Sequence, residues 1–183
     1  MSLENRYIAL KDSIVDRKRD FNAFIEMLET ETAWLTAPAS TRFHLSEEKG
    51  LLQHSVSVAE NVLELRDLLA PAIPDESCII VGLFHDVGKV GMPGKSYYLP
   101  NADKDEVKRG IHYIVNRDLV HLDLATRSLY LVARYIDLAE DEIQAIRYHD
   151  GQYIAENRSV AHRETKLTRL LQYADNWTGC VLE

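Results

Sequence analysis

The sequence has few cysteines, the residues that stabilise small disulfide-rich or zinc-binding folds. Cys78 and Cys180 are its only cysteines among 183 residues, and neither has a partner at C-x-x-C spacing, so a disulfide framework and a cysteine zinc site are excluded. No apolar run approaches the ~18–20 residues of a membrane span, and the amino terminus is polar, which predicts neither a membrane span nor a signal peptide. We expect a cytoplasmic protein.

The sequence also has fewer positively charged than negatively charged residues. Twenty-one Lys and Arg residues against 29 Asp and Glu residues give a net charge of −8, which argues against generic nucleic-acid binding but leaves room for a local basic pocket. The hydrophobic and charged fractions, 46% and 27%, are ordinary for a globular protein. We predict one domain over residues 1–183, with a core at about 36–178 and N-terminal helices at 3–31 packed on it.

Repeats, low-complexity tracts and convincing strand alternation are absent from the sequence, whereas apolar residues recur at helical spacing. The predicted fold class is all-α, a compact multi-helix bundle. Further helices are predicted at about 49–69, 75–84, 103–115, 122–135, 137–150 and 164–178. Asp137 and Glu140 have the spacing of a capping box, and Ile143 is predicted to face inward from the helix that follows.

A histidine and an aspartate stand at the end of the most apolar helix. The run from Cys78 to Phe84 has almost no polar face, so we expect other helices to surround it. His85 and Asp86 follow directly, and Gly88 is a natural helix stop. Ionisable groups at the inner end of a buried helix are costly unless they are paired or bind a cation.

Other ionisable residues also fall on apolar helix faces. His54 lies three residues after Leu51 on one apolar stripe, His149 and Asp175 occupy the inward sides of later helices, and His121 stands at a helix start. Each alone is compatible with a hydrogen-bonded core residue or a helix cap. Burying all of them without a cation would cost a few kcal/mol of desolvation free energy for each residue. The sum is roughly as large as the whole free energy of unfolding of a typical domain, about 5–15 kcal/mol. The pattern therefore predicts a metal centre.

These residues resemble a known signature. His54, then His85-Asp86, then Asp175 looks like the H…HD…D motif of the HD-domain metal-dependent phosphohydrolase superfamily, which is all-helical. The segment 36–54 is similar to the HD half of certain 3′–5′ exoribonucleases, although the chain has no room for their additional oligonucleotide-binding domain.

A second motif resembles HD proteins with two metals. The segment 146–151 is similar to the later histidine motif of that group, which includes cyclic-dinucleotide phosphodiesterases. Asp150 stands where those enzymes often have a histidine, and no Gly-Tyr-Pro follows. Hydrolysis of cyclic dinucleotides is therefore not expected.

The resemblance implies roles for particular residues. The ligands that it implies for a first metal are His54, His85, Asp86 and Asp175. Asp86 would bridge to a second metal held by His121 and His149, with Asp150 as an extra ligand. Histidines and carboxylates suit Mn, Fe, Co, Ni or Zn, and suit Mg less well.

The chemistry that follows is hydrolysis by metal-activated hydroxide. Asp86 is the candidate proton acceptor, and Lys89 is the candidate phosphate-binding cation, although a lysine after a helix end often only neutralises the helix dipole. The remaining candidates for substrate contacts are loop or helix-end residues, namely Arg42, His44, Lys95, Tyr97, Tyr98, Arg147, Asp150 and Tyr153.

Three functions stay open at this point. The first is a phosphohydrolase acting on a small phosphorylated substrate, a nucleotide or short oligonucleotide. The second is a di-iron HD-type oxygenase, which requires a filled second metal site. The third is a non-catalytic module that binds metal or nucleotide. The sequence leaves oligomerisation open.

Overall fold

The computed structural model describes residues 1–43 and 45–183, apart from the side chain of Tyr153, and it is mainly helical. Its α-helices are α1 (Leu3–Asp12), α2 (Lys18–Glu31), α3 (Gly50–Leu69), α4 (Asp75–Phe84), α5 (Lys104–Lys108), α6 (Leu124–Ala133), α7 (Glu140–Arg147) and α8 (Lys166–Trp177). Short 3-10 segments lie at Val87–Val90, Gly151–Tyr153 and Ala155–Val160, and a π-helical turn at Thr178–Leu182. The predicted all-α class is confirmed. Among the described helices, none has both the length and the apolar character that crossing a membrane requires.

Four short strands are present, although the sequence showed no convincing strand pattern. Strand β1 (Gly91–Met92) pairs antiparallel with β2 (Lys95–Ser96), and β3 (Tyr98–Pro100) pairs antiparallel with β4 (Tyr113–Val115). The helix predicted over 103–115 is wrong in its second half, because α5 is short and Gly110 follows it with a positive φ of 86°. The β-branched and aromatic residues of β4 then favour an extended conformation.

The two central helices, α3 and α4, approach each other closely at Gly82. A Cβ atom placed on Gly82 would lie 2.4 Å from the Cα of Ala59 in α3, so a larger residue cannot sit there without displacement. All residues from Ser77 to Phe84 are buried, as predicted for the central helix. This contact brings the rings of His54 and His85 to a centroid distance of 5.4 Å.

Apolar clusters cover both sides of this helix pair. One cluster packs α1 and α2 against α3 and α4 and includes Phe24, Trp34 and Phe84. The other packs α7 and α8 against the same two helices and includes Ile146 and Leu171. Burial on both sides fixes the positions of α3 and α4, and therefore of the polar residues that they carry inward.

Helix α7 begins differently from the prediction. Ala139 is the N-cap, and its backbone N–H donates to the Glu142 carboxylate at 2.9 Å, so the predicted box at Asp137 and Glu140 is wrong. Glu142 is fully buried, while Ile143 is 42% exposed rather than inward. The reason is an ion pair between Glu142 and Arg17 at 2.8 Å, which makes burial of the carboxylate tolerable and turns Ile143 toward solvent.

Candidate metal centre

Five imidazole and carboxyl side chains from four parts of the chain meet at one place. They are His54 in α3, His85 and Asp86 directly after α4, His149 after α7, and Asp175 in α8. Their ligand atoms form two overlapping groups with one member in common, and within each group these atoms all lie within 4.8 Å of one another. The first group is His54, His85 and Asp175, and the second is His85, Asp86 and His149. Only Asp175 among them is not fully buried.

His85, the shared member, has a buried nitrogen without a partner. Its Nδ1 lies 2.9 Å from the carbonyl of Gly82, which assigns the ring proton to Nδ1 and leaves a lone pair on Nε2. Nε2 has no hydrogen-bond partner among the residues described, and it lies 3.7 Å from Asp86 Oδ2 and from Asp175 Oδ1. Burial lowers the pKa of His85 to about 4, against the opposing charges of the two carboxylates, so the ring is neutral at neutral pH. A lone pair that faces two carboxylates is unfavourable, and a cation bound between them would remove the repulsion.

His149 is oriented in the same way. Its Nδ1 lies 2.9 Å from the carbonyl of Ile146 in the last turn of α7, where helix carbonyls lack intrahelical partners. Its Nε2 lies 3.6 Å from both Asp86 Oδ1 and Asp150 Oδ2. Burial alone lowers the pKa of His149, but the hydrogen bond and the charge of Asp86 raise it to about 9. The ring thus lies in a negative field that favours a positive charge, whether a proton or a metal.

His54 lies between two carboxylates. Its Nε2 is 3.1 Å from Asp175 Oδ1, and its Nδ1 is 3.0 Å from Glu183 Oε2. Burial lowers the pKa of His54, but the hydrogen bonds to Asp175 and Glu183 outweigh burial and raise it to about 9. For Asp175, burial raises the pKa, while the hydrogen bond with His54 and the charges of the histidines lower it to about 2.

A buried lysine lies beside the other aspartate. Lys89 Nζ is 2.5 Å from Asp86 Oδ2, and the two side chains are only 14% and 8% exposed. Burial raises the pKa of Asp86, but the charge of Lys89 and the hydrogen bond with His149 hold it well below its ordinary value. Burial lowers the pKa of Lys89, and the charge of Asp86 more than offsets it. Both groups are therefore ionised at neutral pH.

The spacing and chemistry of these groups fit a divalent metal. Two ligand atoms about 2.1 Å from one ion, at angles of about 90–120°, lie about 3.0–3.6 Å apart. The separations between histidine nitrogens and carboxylate oxygens in the cluster run from 3.1 to 3.7 Å. Imidazole nitrogens and carboxylates together are the ligands of Mn, Fe, Co, Ni and Zn. The unpartnered Nε2 of His85 is the feature that a bound cation explains directly.

Several other predicted residues lie elsewhere. His121 is exposed in the segment before α6 and belongs to neither ligand group. Arg42 is exposed and stacks on Phe43 at 4.7 Å, and it does not line the cavity at the metal cluster. Lys95 donates to the carbonyl of Asp118 at 2.6 Å.

Other predicted substrate contacts are divided between two cavities. Asp150 lines the large cavity at the metal cluster. Tyr97 and Tyr98 line a separate one of about 170 Å³ with Lys89. Arg147 donates to Asn157 at 3.4 Å and lines neither cavity. The predictions for His44 and for the side chain of Tyr153 lie outside the described residues.

Four of the five cluster residues, all but His85, form the floor of a cavity of about 820 Å³, and the sequence reasoning missed one wall of that cavity. Helix α8 contributes Arg169, Gln172, Tyr173 and Asn176 to this wall. Their i, i+3, i+4, i+7 spacing beside Asp175 is a signal that could have found them. Glu183, which contacts His54, has no such signal, because nothing near either residue in the sequence indicates the pairing.

The fold and the site together define a class of protein, an all-helical protein with a buried histidine–aspartate cluster suited to divalent metals. The HD domain family model matches residues 51–178, more than two thirds of the chain, so the chain belongs to the HD domain family. This confirms the resemblance to the HD superfamily seen in the sequence, and proteins of this superfamily are generally metal-dependent hydrolases. Comparisons with curated proteins and with solved structures gave no match.

Proposed function

We propose that this protein is a metal-dependent phosphohydrolase that cleaves a phosphoester or phosphoanhydride, in a nucleotide or a short oligonucleotide. The observation that carries the proposal is the buried, unpartnered Nε2 of His85, which faces Asp86 and Asp175 at the floor of an open cavity. Lys89, whose pKa the charge of Asp86 raises, lies beside the same aspartate and lines the same cavity. With metal ions on these ligands and the Lys89 ammonium beside them, a phosphoryl group is the ligand that this floor would suit best.

The proposed ligands divide into two sets. The first metal would be held by His54, His85, Asp86 and Asp175, and a second by His149 and Asp86 with Asp150 as an extra ligand. A divalent metal supplies a Lewis acid and brings the pKa of a bound water toward neutrality. Each imidazole offers its Nε2, because Nδ1 of every one is already bonded to a carbonyl or a carboxylate.

Lys89 and Asp86 would supply the remaining chemistry. The Lys89 ammonium binds a non-bridging phosphoryl oxygen and so offsets the negative charge that develops there in the transition state. Asp86 would accept a proton from the attacking water through Oδ1, the oxygen that faces His149 Nε2 at 3.6 Å, while Lys89 contacts Oδ2. The low pKa of Asp86 keeps the carboxylate ionised at neutral pH, and it also makes Asp86 a weaker base than an ordinary aspartate.

The cavity wall supports a nucleotide rather than a bare phosphate as the substrate. Its volume, about 820 Å³, lies within the usual ~300–1,000 Å³ of cavities for ligands larger than phosphate. Tyr173 is 57% exposed on this wall and offers a ring for base stacking. Arg169, one turn earlier, is held by Glu164 at 3.0 Å and presents a guanidinium to a second phosphate.

A panel of phosphoesters assayed with Mn²⁺ tests the proposal. We expect the wild-type protein to release phosphate or nucleoside from at least one nucleotide, and Asp86→Asn to be inactive. Asp105→Asn, at an exposed helix position, is the matched control and should keep wild-type activity.

The same samples separate the other two functions. Two irons per chain with oxygen uptake, and no phosphate release, would replace the proposal with an oxygenase, which the second ligand group around His149 would support. Tight nucleotide binding without turnover under any metal would replace it with a non-catalytic binding module.

A further inference from the structure

We propose that Glu183 is a positioning residue for His54. Its carboxylate accepts a hydrogen bond from His54 Nδ1–H and so orients the ring with Nε2 toward the metal. Glu183 Oε2 lies 3.0 Å from Nδ1, on the opposite side of the ring from Asp175. The Glu183 side chain is only 5% exposed. The inference rests on the metal centre of the proposed function and adds a residue outside the ligand set.

The three histidines of the cluster differ in how their Nδ1 protons are bound. His85 and His149 follow helix ends, and each bonds a carbonyl three residues earlier, in the last turn of its own helix. Such carbonyls are free because no further helical N–H reaches them. His54 lies inside α3, where the neighbouring carbonyls accept the N–H groups of the helix itself. Its Nδ1 proton therefore needs an acceptor from elsewhere in the chain, and Glu183 is in place to accept it.

A buried anchor holds Glu183 at that position. The turn Thr178–Leu182 continues α8, and the Glu183 backbone N–H donates to the carbonyl of Thr178 at 3.1 Å. The Thr178 hydroxyl is buried, accepts from Asn61 Nδ2 at 2.8 Å and donates to the carbonyl of Ala174 at 2.7 Å. Asn61 is in α3, two turns beyond His54. The same helix thus carries the ligand and the residue that anchors its carboxylate partner.

A carboxylate at Nδ1 has two effects on a histidine ligand. It fixes the tautomer and the orientation of the ring, and its charge raises the basicity of the ligating nitrogen. Removing such a partner lowers metal affinity about 10–100-fold in comparable sites. We expect Glu183→Ala to weaken Co²⁺ binding by that factor, whereas Glu183→Gln keeps an acceptor oxygen without the charge and weakens it only several-fold.

The experiment is a Co²⁺ titration of the full chain followed by visible absorption. Glu48→Ala is the matched control, because Glu48 is exposed on a neighbouring segment, and it should bind Co²⁺ as the wild type does. In the Zn²⁺-loaded protein, the downfield proton resonance of His54 Nδ1–H should be lost in Glu183→Ala. A residue with a merely structural role would not affect this resonance.

The outcomes separate this inference from the proposed function. A wild-type protein that binds neither Co²⁺ nor Zn²⁺ overturns both. Wild-type affinity and an unchanged His54 resonance in Glu183→Ala overturn only the role of Glu183. Should Glu183→Ala fail to fold, Glu183→Gln decides: several-fold weaker binding supports the role, and wild-type affinity overturns it.

Discussion

At the scale of single residues, the position of the ring proton determines what each histidine can do. Backbone carbonyls accept hydrogen bonds from Nδ1–H of His85 and of His149, so Nε2, which faces the carboxylates, is the nitrogen that each ring offers to a metal. A histidine that only stabilised the core would use both nitrogens for hydrogen bonds. The unpartnered Nε2 of His85 therefore makes it a candidate ligand rather than an ordinary core histidine. His54 bonds through both nitrogens and is a candidate because it belongs to the same ligand group.

Substitution of two histidines tests which of them belongs to the metal centre. We expect His149→Ala to lower the metal content of protein equilibrated with Mn²⁺ and then desalted, because its buried Nε2 faces Asp86. His121→Ala should keep the wild-type content, since His121 is exposed and outside both ligand groups. Elemental analysis checks both. Metal loss in His121→Ala would instead support the sequence-based prediction of a ligand at that position.

Substitution of Lys89 tests its role in binding phosphate. Lys89→Met keeps most of the side-chain length and removes the charge, so we expect kcat/KM to fall about 100-fold, as when one oxyanion-stabilising group is lost. Metal content should be retained, because Lys89 is not a proposed ligand. Lys108→Met, at a position 78% exposed, is the control. Unchanged steady-state kinetics in Lys89→Met would contradict this role and indicate that Lys89 only neutralises the helix dipole.

At the scale of elements, the close contact of α3 with α4 sets the distance between His54 and His85. Gly82→Ala places a methyl group 2.4 Å from the Cα of Ala59 and forces the helices apart. We expect a loss of about 1–3 kcal/mol in the free energy of unfolding, as for other overpacked cores, together with weaker Co²⁺ binding. Urea unfolding and a Co²⁺ titration measure the two effects. Wild-type values in both would show that the contact does not set the ligand spacing.

A second link between elements is electrostatic. Arg17, at the start of α2, pairs with Glu142 of α7 at 2.8 Å and with Glu76 of α4 at 3.3 Å. Burial raises the pKa of Glu142, but the hydrogen bonds from Arg17 lower it below its ordinary value overall. The stabilisation is therefore complete above the unfolded pKa of about 4.3, and it is lost as the pH falls through the folded pKa.

Glu142→Gln tests this link through pH. We expect it to cost roughly 3 kcal/mol in the free energy of unfolding at neutral pH, because a buried ion pair is broken. The gap to the wild type should narrow below about pH 4, where the wild-type carboxylate also becomes neutral. Urea midpoints across the pH range measure it, with Glu140→Gln, exposed in the same turn, as the control. A gap independent of pH would contradict the assignment.

At the scale of the whole molecule, the helical class and most of the cluster were predictable from the sequence. Apolar periodicity marks which face of a helix is inward, and ionisable residues are rare on that face. This pattern indicated four residues of the cluster, namely His54, His85, Asp86 and Asp175.

What could not be predicted depends on distant parts of the chain. Glu142 is buried because it pairs with Arg17, and His54 Nδ1 is hydrogen-bonded because Glu183 lies beside it. Neither pairing can be read from the sequence around either residue. The prediction for His121 rested on its place at a helix start, and a helix start by itself does not indicate whether a side chain points to the core. Strand β4 was missed because its three residues are too few for an alternation signal.

The metal content of the purified chain tests the central claim most directly. Elemental analysis of protein prepared without chelator should find at least about one divalent transition metal per chain in the wild type, since the ligand set suits these ions. His85→Ala should retain less than about a tenth of that amount with its helical circular dichroism largely kept, because His85 belongs to both ligand groups. A His85→Ala protein that holds metal at wild-type stoichiometry would contradict the account.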